Sequence, residues 1–316
     1  MAKTNSSVVE VGGRQLKLSN LDKVLYPESG FTKGQLIDYY ARIAPVLLPH
    51  LKGRPLTMKR YPSGVKGEFF YEKNCPVHRP EWVKTAPVWS EGNNKWMQYC
   101  LADDLPTLVW AANLADIELH TSLSLGKKIE RPTFLVFDLD PGAPADMVQC
   151  CQVGLWVRKI FDKLGLESFA KTSGSKGLQV YVPLNGAVTY EQTKPFAREV
   201  ASTLERANPK TVVSDMKKSL RTGKVFVDWS QNDQHKTTIC VYSLRAKDRP
   251  TASTPVTWNE VEQCLKKKGA GLLVFESHQT LARVEKHGDL FEPVLKLKQK
   301  LPKIEALEGI AEVAAA

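Results

Sequence analysis

Apolar and polar positions along the chain change period several times, and each change marks an element. TKGQLIDYYARIAPVLLPHL and TLVWAANLADIELH carry helical spacing. They lie in a first segment that also holds short extended pieces and ends near the charged stretch GKKIERP. From there the pattern predicts a strand near 133–139, a helix near 144–164 and a strand near 167–172. The turn SGSKG leads into a strand near 178–184, a helix near 190–207 and a strand near 224–229. This is a β-α-β-β-α-β succession, whose usual antiparallel sheet sets the first and last strands side by side.

The first of these strands, PTFLVFDLDPG, ends in two carboxylates. Strand alternation puts Phe134, Val136, Asp138 and Asp140 on one face and Leu135, Phe137 and Leu139 on the other. Two adjacent negative charges repel unless a cation bridges them or water solvates them, so the pair is either a hard-metal site or a solvated strand end turning through Asp-Pro-Gly. If the first and last strands are neighbours, Asp228 in VFVDWSQ joins the pair. Three carboxylates suit divalent ions in phosphoryl transfer, where charge develops on the attacking and leaving oxygens together. TSGSKGLQ offers matching donors: two glycines for close backbone approach, Ser173 and Ser175 hydroxyls, and the Lys176 charge. It lacks the spacing of a Walker loop and joins two strands, and taken alone such a turn is more often only a turn. KGLQVYV superficially resembles the aromatic strand of an RNA-recognition module, but Leu178 and Val180 stand where stacking rings are wanted.

Composition adds charge. The 316 residues hold 44 Lys plus Arg against 34 Asp plus Glu, a net charge of +10, which favours a polyanionic partner. Basic residues recur beside aromatic ones in RPLTMKRYP, KKSLRTGKVF and YSLRAK, and GEFFYEK clusters three rings, a pattern that fits a nucleic-acid groove. The start MAKTNSSVVEVGG lacks a signal-peptide core, and no apolar stretch nears the ~20 residues of a membrane span, so a cytosolic protein is expected. The six cysteines show no zinc-ribbon spacing and are expected as reduced thiols; CPVH would be half a zinc site with no second half. The final LEGIAEVAAA reads as a helical extension.

DLD, SGSKGL and KVFVDWSQN in this order, with LDKVLYP, GRPLTMKRYP and YSLRA, resemble the polymerase domain of bacterial DNA ligase D, in the archaeo-eukaryotic primase superfamily. The likeness runs from LSNLDKVLYP to EKHGDLFEPV. It implies an α/β primase-polymerase fold with a packed N-terminal α/β module (1–130), a metal-binding catalytic core (131–247), a C-terminal helical part (248–301) and a tail (302–316). The implied activity is template-directed addition of ribo- or deoxyribonucleotides at gaps and broken ends in non-homologous end joining, with Mn2+ or Mg2+. Asp138, Asp140 and Asp228 would be the catalytic metal ligands. Lys59, Arg60, His120, Ser173, Lys176, Gln179, Gln231 and Arg245 would surround the incoming NTP or dNTP. Asn20, Lys23 and Lys33 would grip the downstream 5′-phosphate, with Phe69, Phe70 and Arg221 also on DNA. Gln179 stands where the family commonly has His, and is expected to contact the triphosphate with less dependence on pH. Ku and a ligase domain are the implied partners of a monomeric, nucleoid-associated cytoplasmic protein. A metal-dependent nuclease and a catalytically idle end-binding module are the rival readings. No ligase-type KxDG motif occurs in the sequence.

Overall fold

The computed structural model describes residues 6–310. In chain order these form β1 (Ser6–Val11), β2 (Arg14–Ser19), β3 (Val24–Tyr26), β4 (Phe31–Thr32), α1 (Lys33–Leu51), β5 (Leu56–Arg60), β6 (Phe70–Glu72), β7 (Thr85–Ser90), β8 (Lys95–Cys100), α2 (Leu105–Asn113) and β9 (Asp116–Thr121). There follow β10 (Phe134–Pro141), α3 (Met147–Lys163), β11 (Phe169–Thr172), β12 (Leu178–Pro183), α4 (Tyr190–Ala207), β13 (Val212–Val213) and β14 (Val225–Asp228). The chain closes with β15 (Thr238–Ile239), β16 (Pro255–Val256), α5 (Trp258–Lys267), α6 (Ser277–His287) and α7 (Pro293–Lys296).

These elements divide into two units. One comprises residues 1–127, 237–253 and 275–289; the other comprises 128–236, 254–274 and 290–316. The first break falls beside the expected boundary at 130, whereas each of the expected segments 131–247 and 248–301 is shared between the units.

In the first unit an antiparallel sheet runs β15-β9-β5-β8-β7, with β6 paired to β5. Helix α1 starts where Thr32 and Gln35 form a capping box, each side chain taking up a backbone N–H of the other, and it buries Leu36, Ile37, Tyr40, Ile43 and Leu47 along one stripe. The expected helical reading of TLVWAANLADIELH holds only to Asn113. Ala115 takes a left-handed φ of +59°, and ADIELH continues as β9, where it pairs with β5 and β15. Tertiary pairing here overrides local periodicity.

In the second unit the sheet order is β13-β14-β10-β12-β11-β16, antiparallel except for β13 beside β14. The expected β-α-β-β-α-β succession is β10-α3-β11-β12-α4-β14, and its first and last strands are neighbours. Leu135, Phe137 and Leu139 are buried on the helix-covered face, where Phe137 packs on Phe161 of α3 and Phe161 on Phe196 of α4. Capping boxes start α3 at Asp146 and α4 at Thr189.

Two expectations change. Cys75 and Cys100 form a disulfide, with Cα atoms 5.0 Å apart, so these two are not reduced thiols. The physical reason is tertiary: Cys75 N donates to Gln98 O of β8, which brings position 75 alongside the end of that strand, 25 residues away in sequence. Cys150, Cys151, Cys240 and Cys264 are free and buried. Of the expected helical extension over 307–316, Leu307 ends a short 3-10 turn, Ile304–Leu307, and 308–310 form a turn, while residues 311–316 lie outside those described.

Cys100→Ser should lower unfolding free energy by about 3 kcal/mol, the chain-entropy value for a loop of this order. Urea unfolding of oxidised and reduced wild type checks it; coincident midpoints would show that the two sulfurs are not bonded in solution.

Candidate active site

The polar face of the second unit's sheet gathers the acidic residues. Asp138 of β10 lies directly opposite Asp228 of β14, and Asp140 opposite Phe226, so the antiparallel register sets three carboxylates on adjoining strands. Burial pushes the Asp138 carboxyl above the ordinary aspartate range, and the charges of Asp140 and Asp228 push it further. Asp228 is held from below. Its Oδ1 accepts from Ser230 N at 2.9 Å and Ser230 Oγ at 2.5 Å, and its Oδ2 from Gln231 Nε2 at 2.9 Å.

Four side chains not singled out by sequence reasoning build this face. Asn232 is fully buried, accepts from Val136 N at 2.9 Å and donates to Val136 O at 2.7 Å, so its amide extends the edge of β10 as a strand would. Lys171, also fully buried, donates to Gln179 Oε1 at 2.5 Å and stands over the Tyr181 ring at 5.3 Å. Its positive charge favours the ionised form of Asp138. Ser230 links Asp228 to Lys236, whose Nζ donates to Ser230 Oγ at 2.6 Å. A buried amide in WSQN and a lysine within an otherwise apolar strand, FAKT, were the available signals.

Gln179 lies beside these acids. It pairs with Asp138 across β10 and β12, is 1% exposed, and spends its carboxamide on Lys171 and on Asp138. Alternation along β12 therefore sets it as a neighbour and support of Asp138.

The SGSKG turn sits against the same carboxylates. Ser173 Oγ accepts from Ser175 N at 3.2 Å and Gly177 N at 3.1 Å, closing the turn from within, and Lys176 is exposed at its tip. Gly174 takes φ +68°, a left-handed conformation open to glycine. A Cβ on Gly177 would lie 2.3 Å from Leu139 O, so only a bare backbone can approach the Asp138–Asp140 stretch this closely. Arg221 is half-buried, with its guanidinium 3.7 Å from the Phe226 ring centroid and Nη2 donating to Met216 O at 2.7 Å. Gln231 Oε1 is buried without a hydrogen-bond partner among the described residues.

In the first unit a second constellation forms around Glu118, a residue that sequence reasoning passed over. Its buried carboxylate receives His120 Nε2 at 3.0 Å and Lys59 Nζ at 3.5 Å on Oε2, and Arg245 Nε at 3.3 Å and Ala246 N at 3.0 Å on Oε1. Burial alone would raise this carboxyl; the His120 hydrogen bond and the charges of Arg245 and Lys59 outweigh it and hold Glu118 far below the usual range. Burial lowers the His120 imidazole, with Glu118 opposing, so the ring is neutral near pH 7.

Fixed backbone brings these groups together. Tyr26 Oη donates to Arg245 O at 2.9 Å, Tyr39 Oη to Tyr242 O at 2.7 Å, and Leu244 N donates to Tyr40 Oη at 3.1 Å. Tyr242, buried, takes a left-handed φ of +64°, and such strain persists only where packing enforces it. In β5 alternation separates two cations. Lys59 lies 4.3 Å from the Phe69 ring and near Tyr61 and Tyr71, while Arg60 pairs with Glu72 at 2.6 Å and stacks on Phe70 at 5.1 Å. Phe69, Phe70 and Tyr71 are 44–53% exposed, enough to offer ring faces to a ligand.

Asn20, Lys23 and Lys33 form a third group at the start of α1. Asn20 takes φ +54°, its carbonyl accepts from Lys23 N, and Lys33 N in turn donates to Lys23 O at 2.8 Å. Lys33 is the first helical residue, at the positive end of the helix dipole. Its Nζ donates to Ser19 O at 2.6 Å, and burial, then the like charges of Lys23 and Arg60, lower its pKa to about 8.

Among the described residues no three His, Cys, Asp or Glu side chains are gathered closely enough to hold a metal. The donor set nonetheless suits a hard cation: Asp138 Oδ1 is buried with no hydrogen-bond partner, beside two further carboxylates of like charge.

An antiparallel sheet carrying paired acids on one face, with a glycine-serine-lysine turn against them, is the architecture of a nucleotidyl-transferring class, and comparison with known proteins agrees. The model of the LigD primase-polymerase domain family matches residues 32–291. The multifunctional non-homologous end joining protein LigD of Mycolicibacterium smegmatis is 40% identical over 282 residues, covering 89% of this chain and 36% of that protein. The bifunctional LigD of Bacillus subtilis is 32% identical over 252 residues, 79% of this chain and 40% of that protein. The solved polymerase domain of Mycobacterium tuberculosis ligase D in complex with DNA superposes with a TM-score of 0.82 at 40% identity, covering 90% of this chain and 99% of that one. The chain belongs to the LigD primase-polymerase domain family, a family of nucleotidyltransferases. It spans a little over a third of the length of these full-length relatives.

Gly177→Ala should cost roughly 2 kcal/mol or more, a value typical of enforced backbone displacement. Gly186→Ala, whose Cβ would meet nothing nearer than 3.6 Å, should stay within about 0.5 kcal/mol of wild type. Thermal unfolding of both variants decides; equal stabilities would show that the turn is not seated against Leu139.

Proposed function

We propose that the chain is a template-directed polymerase that fills gaps and extends broken DNA ends in bacterial non-homologous end joining. The observation that carries this reading is the Asp138–Asp228 register with Asp140 two residues on, together with a turn that can approach only because residue 177 is glycine. In the reaction a primer 3′-hydroxyl attacks the α-phosphorus of a nucleoside triphosphate and pyrophosphate leaves. Divalent ions, Mn2+ or Mg2+, held by Asp138, Asp140 and Asp228 would activate the attacking oxygen and offset charge on the leaving oxygen.

The chain's own residues do the rest. Ser230 and Gln231 fix the orientation of Asp228, and Gln179 and Lys171 keep Asp138 oriented against its like-charged neighbours. In the first unit Lys59, His120 and Arg245 supply positive charge and donors for a polyphosphate; in the second, the Ser173 turn and Lys176 offer donors for phosphate oxygens. Arg60 and the exposed rings of Phe69 and Phe70 offer cation and stacking faces to template bases. Asn20, Lys23, Lys33 and the α1 N-terminus receive the 5′-phosphate downstream of a gap, and Arg221 adds charge for the DNA backbone. Ribonucleotides are the proposed preferred substrates, and Ku and a ligase domain the proposed partners of a monomer acting at the nucleoid in the cytoplasm. Among the described residues no helix is long and apolar enough to cross a membrane.

Extension of a labelled primer across a short gap with a downstream 5′-phosphate, in Mn2+ with ribo- or deoxyribonucleotides, tests the reading. Template-matched addition is expected, abolished in Asp138→Ala, Asp140→Ala and Asp228→Ala while gap binding persists. Shortened primers would establish a nuclease instead, and near-wild-type extension by any variant would remove that residue from the site.

The Lys33 group makes a pH prediction. Its folded pKa of about 8 means that above pH 8 the lysine is mostly neutral and must take up a proton to hold a phosphate dianion. Preference for 5′-phosphorylated over 5′-hydroxyl gaps should therefore shrink from pH 7 to pH 9, and Lys33→Met should reduce it at both. Fluorescence anisotropy on the two substrates measures the ratio; a ratio independent of pH would rule out Lys33 as the phosphate ligand.

A further inference from the structure

Glu118 has no place in the chemistry outlined above, yet three of the proposed nucleotide-binding residues converge on it. A buried carboxylate with a single partner is a structural ion pair. One with Lys59, His120, Arg245 and the Ala246 N–H shared between two oxygens is a different object. The three come from β5, from β9 itself and from the loop after β15, and Glu118 is what they have in common. Contacts of 3.5 Å for Lys59 and 3.3 Å for Arg245 are longer than good charge-assisted hydrogen bonds, and the Arg245 Nε–H is poorly aligned. Both cations are thus held beside the carboxylate. His120 is bound more closely, at 3.0 Å.

Resting on the assignment of Lys59, His120 and Arg245 to the polyphosphate, we propose that Glu118 is a positioning residue. It holds these three in register for the triphosphate and fixes Nε2 as the nitrogen of His120 that carries the proton. The tautomer follows from the partner: an ionised carboxylate only accepts, so the ring nitrogen facing it must donate. Nδ1 is then an acceptor in the neutral ring and gains a proton when the ring becomes cationic. A carboxylate in contact stabilises that cation, so Glu118 lets His120 protonate in response to a polyanion at a pH where a buried imidazole alone would stay neutral. The other groups facing His120 are Arg245 and Lys59, which oppose protonation, and the Tyr71 ring at 5.9 Å.

Two variants separate the jobs. Glu118→Gln keeps the shape and a hydrogen-bonding oxygen but removes the charge; Glu118→Ala removes both. The probe is ATP with Mg2+, its Kd followed by calorimetry from pH 5.5 to 8.5, with His120 followed by NMR in the same samples. In wild type, ATP binding tightens on the acid side as His120 protonates. Glu118→Gln should move that inflection and the His120 titration down by about one pH unit or more, the effect of losing an opposite charge in contact. Glu118→Ala should weaken ATP at every pH by about tenfold, and adding Lys59→Ala to it should cost less than Lys59→Ala does in wild type.

Lys59→Ala and Arg245→Ala serve as the reference for the underlying assignment. If they weaken ATP but Glu118→Gln leaves the His120 titration and the pH profile where they were, Glu118 is a structural ion pair and the proposal is wrong. If Lys59→Ala and Arg245→Ala leave ATP affinity untouched, the nucleotide assignment itself fails, and the proposal falls with it.

Discussion

The second unit depends on one unfavourable contact, the pairing of Asp138 with Asp228 across two antiparallel strands. Two carboxylates ~5 Å apart at an effective dielectric near 20 repel by about 3 kcal/mol, and Asp140 adds to the repulsion. The strands tolerate this because the opposite face of β10 is a fully buried run of Leu135, Phe137 and Leu139, whose burial a one-residue slip would destroy. Register is set by the apolar face, and the acids are carried along with it. The surrounding polar groups then moderate the repulsion: Lys171 supplies an opposite charge, Gln179 donates to Asp138, and Ser230 and Gln231 donate to Asp228.

Glu118 in the first unit solves the inverse problem. There Lys59 and Arg245 would repel one another, and a single buried anion holds them together with His120. Buried alike, the two acids of β9 end in opposite states: Asp116 is pushed well above the usual aspartate range by desolvation, whereas Glu118, with His120, Arg245 and Lys59 around it, is held far below the range for glutamate. Partners, more than depth, decide the charge state. Positive charges ordered in advance in this way lower the entropic cost of assembling them around any anionic ligand.

Much of this was legible from sequence where the signal is local. FLVFDLD alternates with a two-residue period and ends in acids, so both its strand character and the shared face of Asp138 and Asp140 follow from pleating. The α3 and α4 segments are long and periodic, and lie where spacing predicts. Readings failed where a partner distant in sequence decided the outcome. ADIELH continues an apolar helical pattern, and only pairing with β5 and β15 makes it a strand. Cys75 and Cys100 carry no spacing signal, and the backbone bond from residue 75 to residue 98 is what brings them together.

By itself the sequence determined the alternation that puts Asp138 and Asp140 on one face, the glycines that permit the SGSKG turn, the excess of positive charge, and the ordered motifs that mark the family. These are properties of neighbouring residues or of totals, and no folding is needed to read them. Tertiary structure alone decided that Asp228 stands opposite Asp138, that Gln179 and Lys171 lie buried beneath the acids, and that Lys59, His120 and Arg245 share Glu118. Arg245 follows Glu118 by more than a hundred residues, and only the packing of Tyr26, Tyr39 and Tyr40 against the segment carrying it brings its guanidinium to that carboxylate. A pairing of that kind is a property of closed backbone geometry, and no local pattern encodes it.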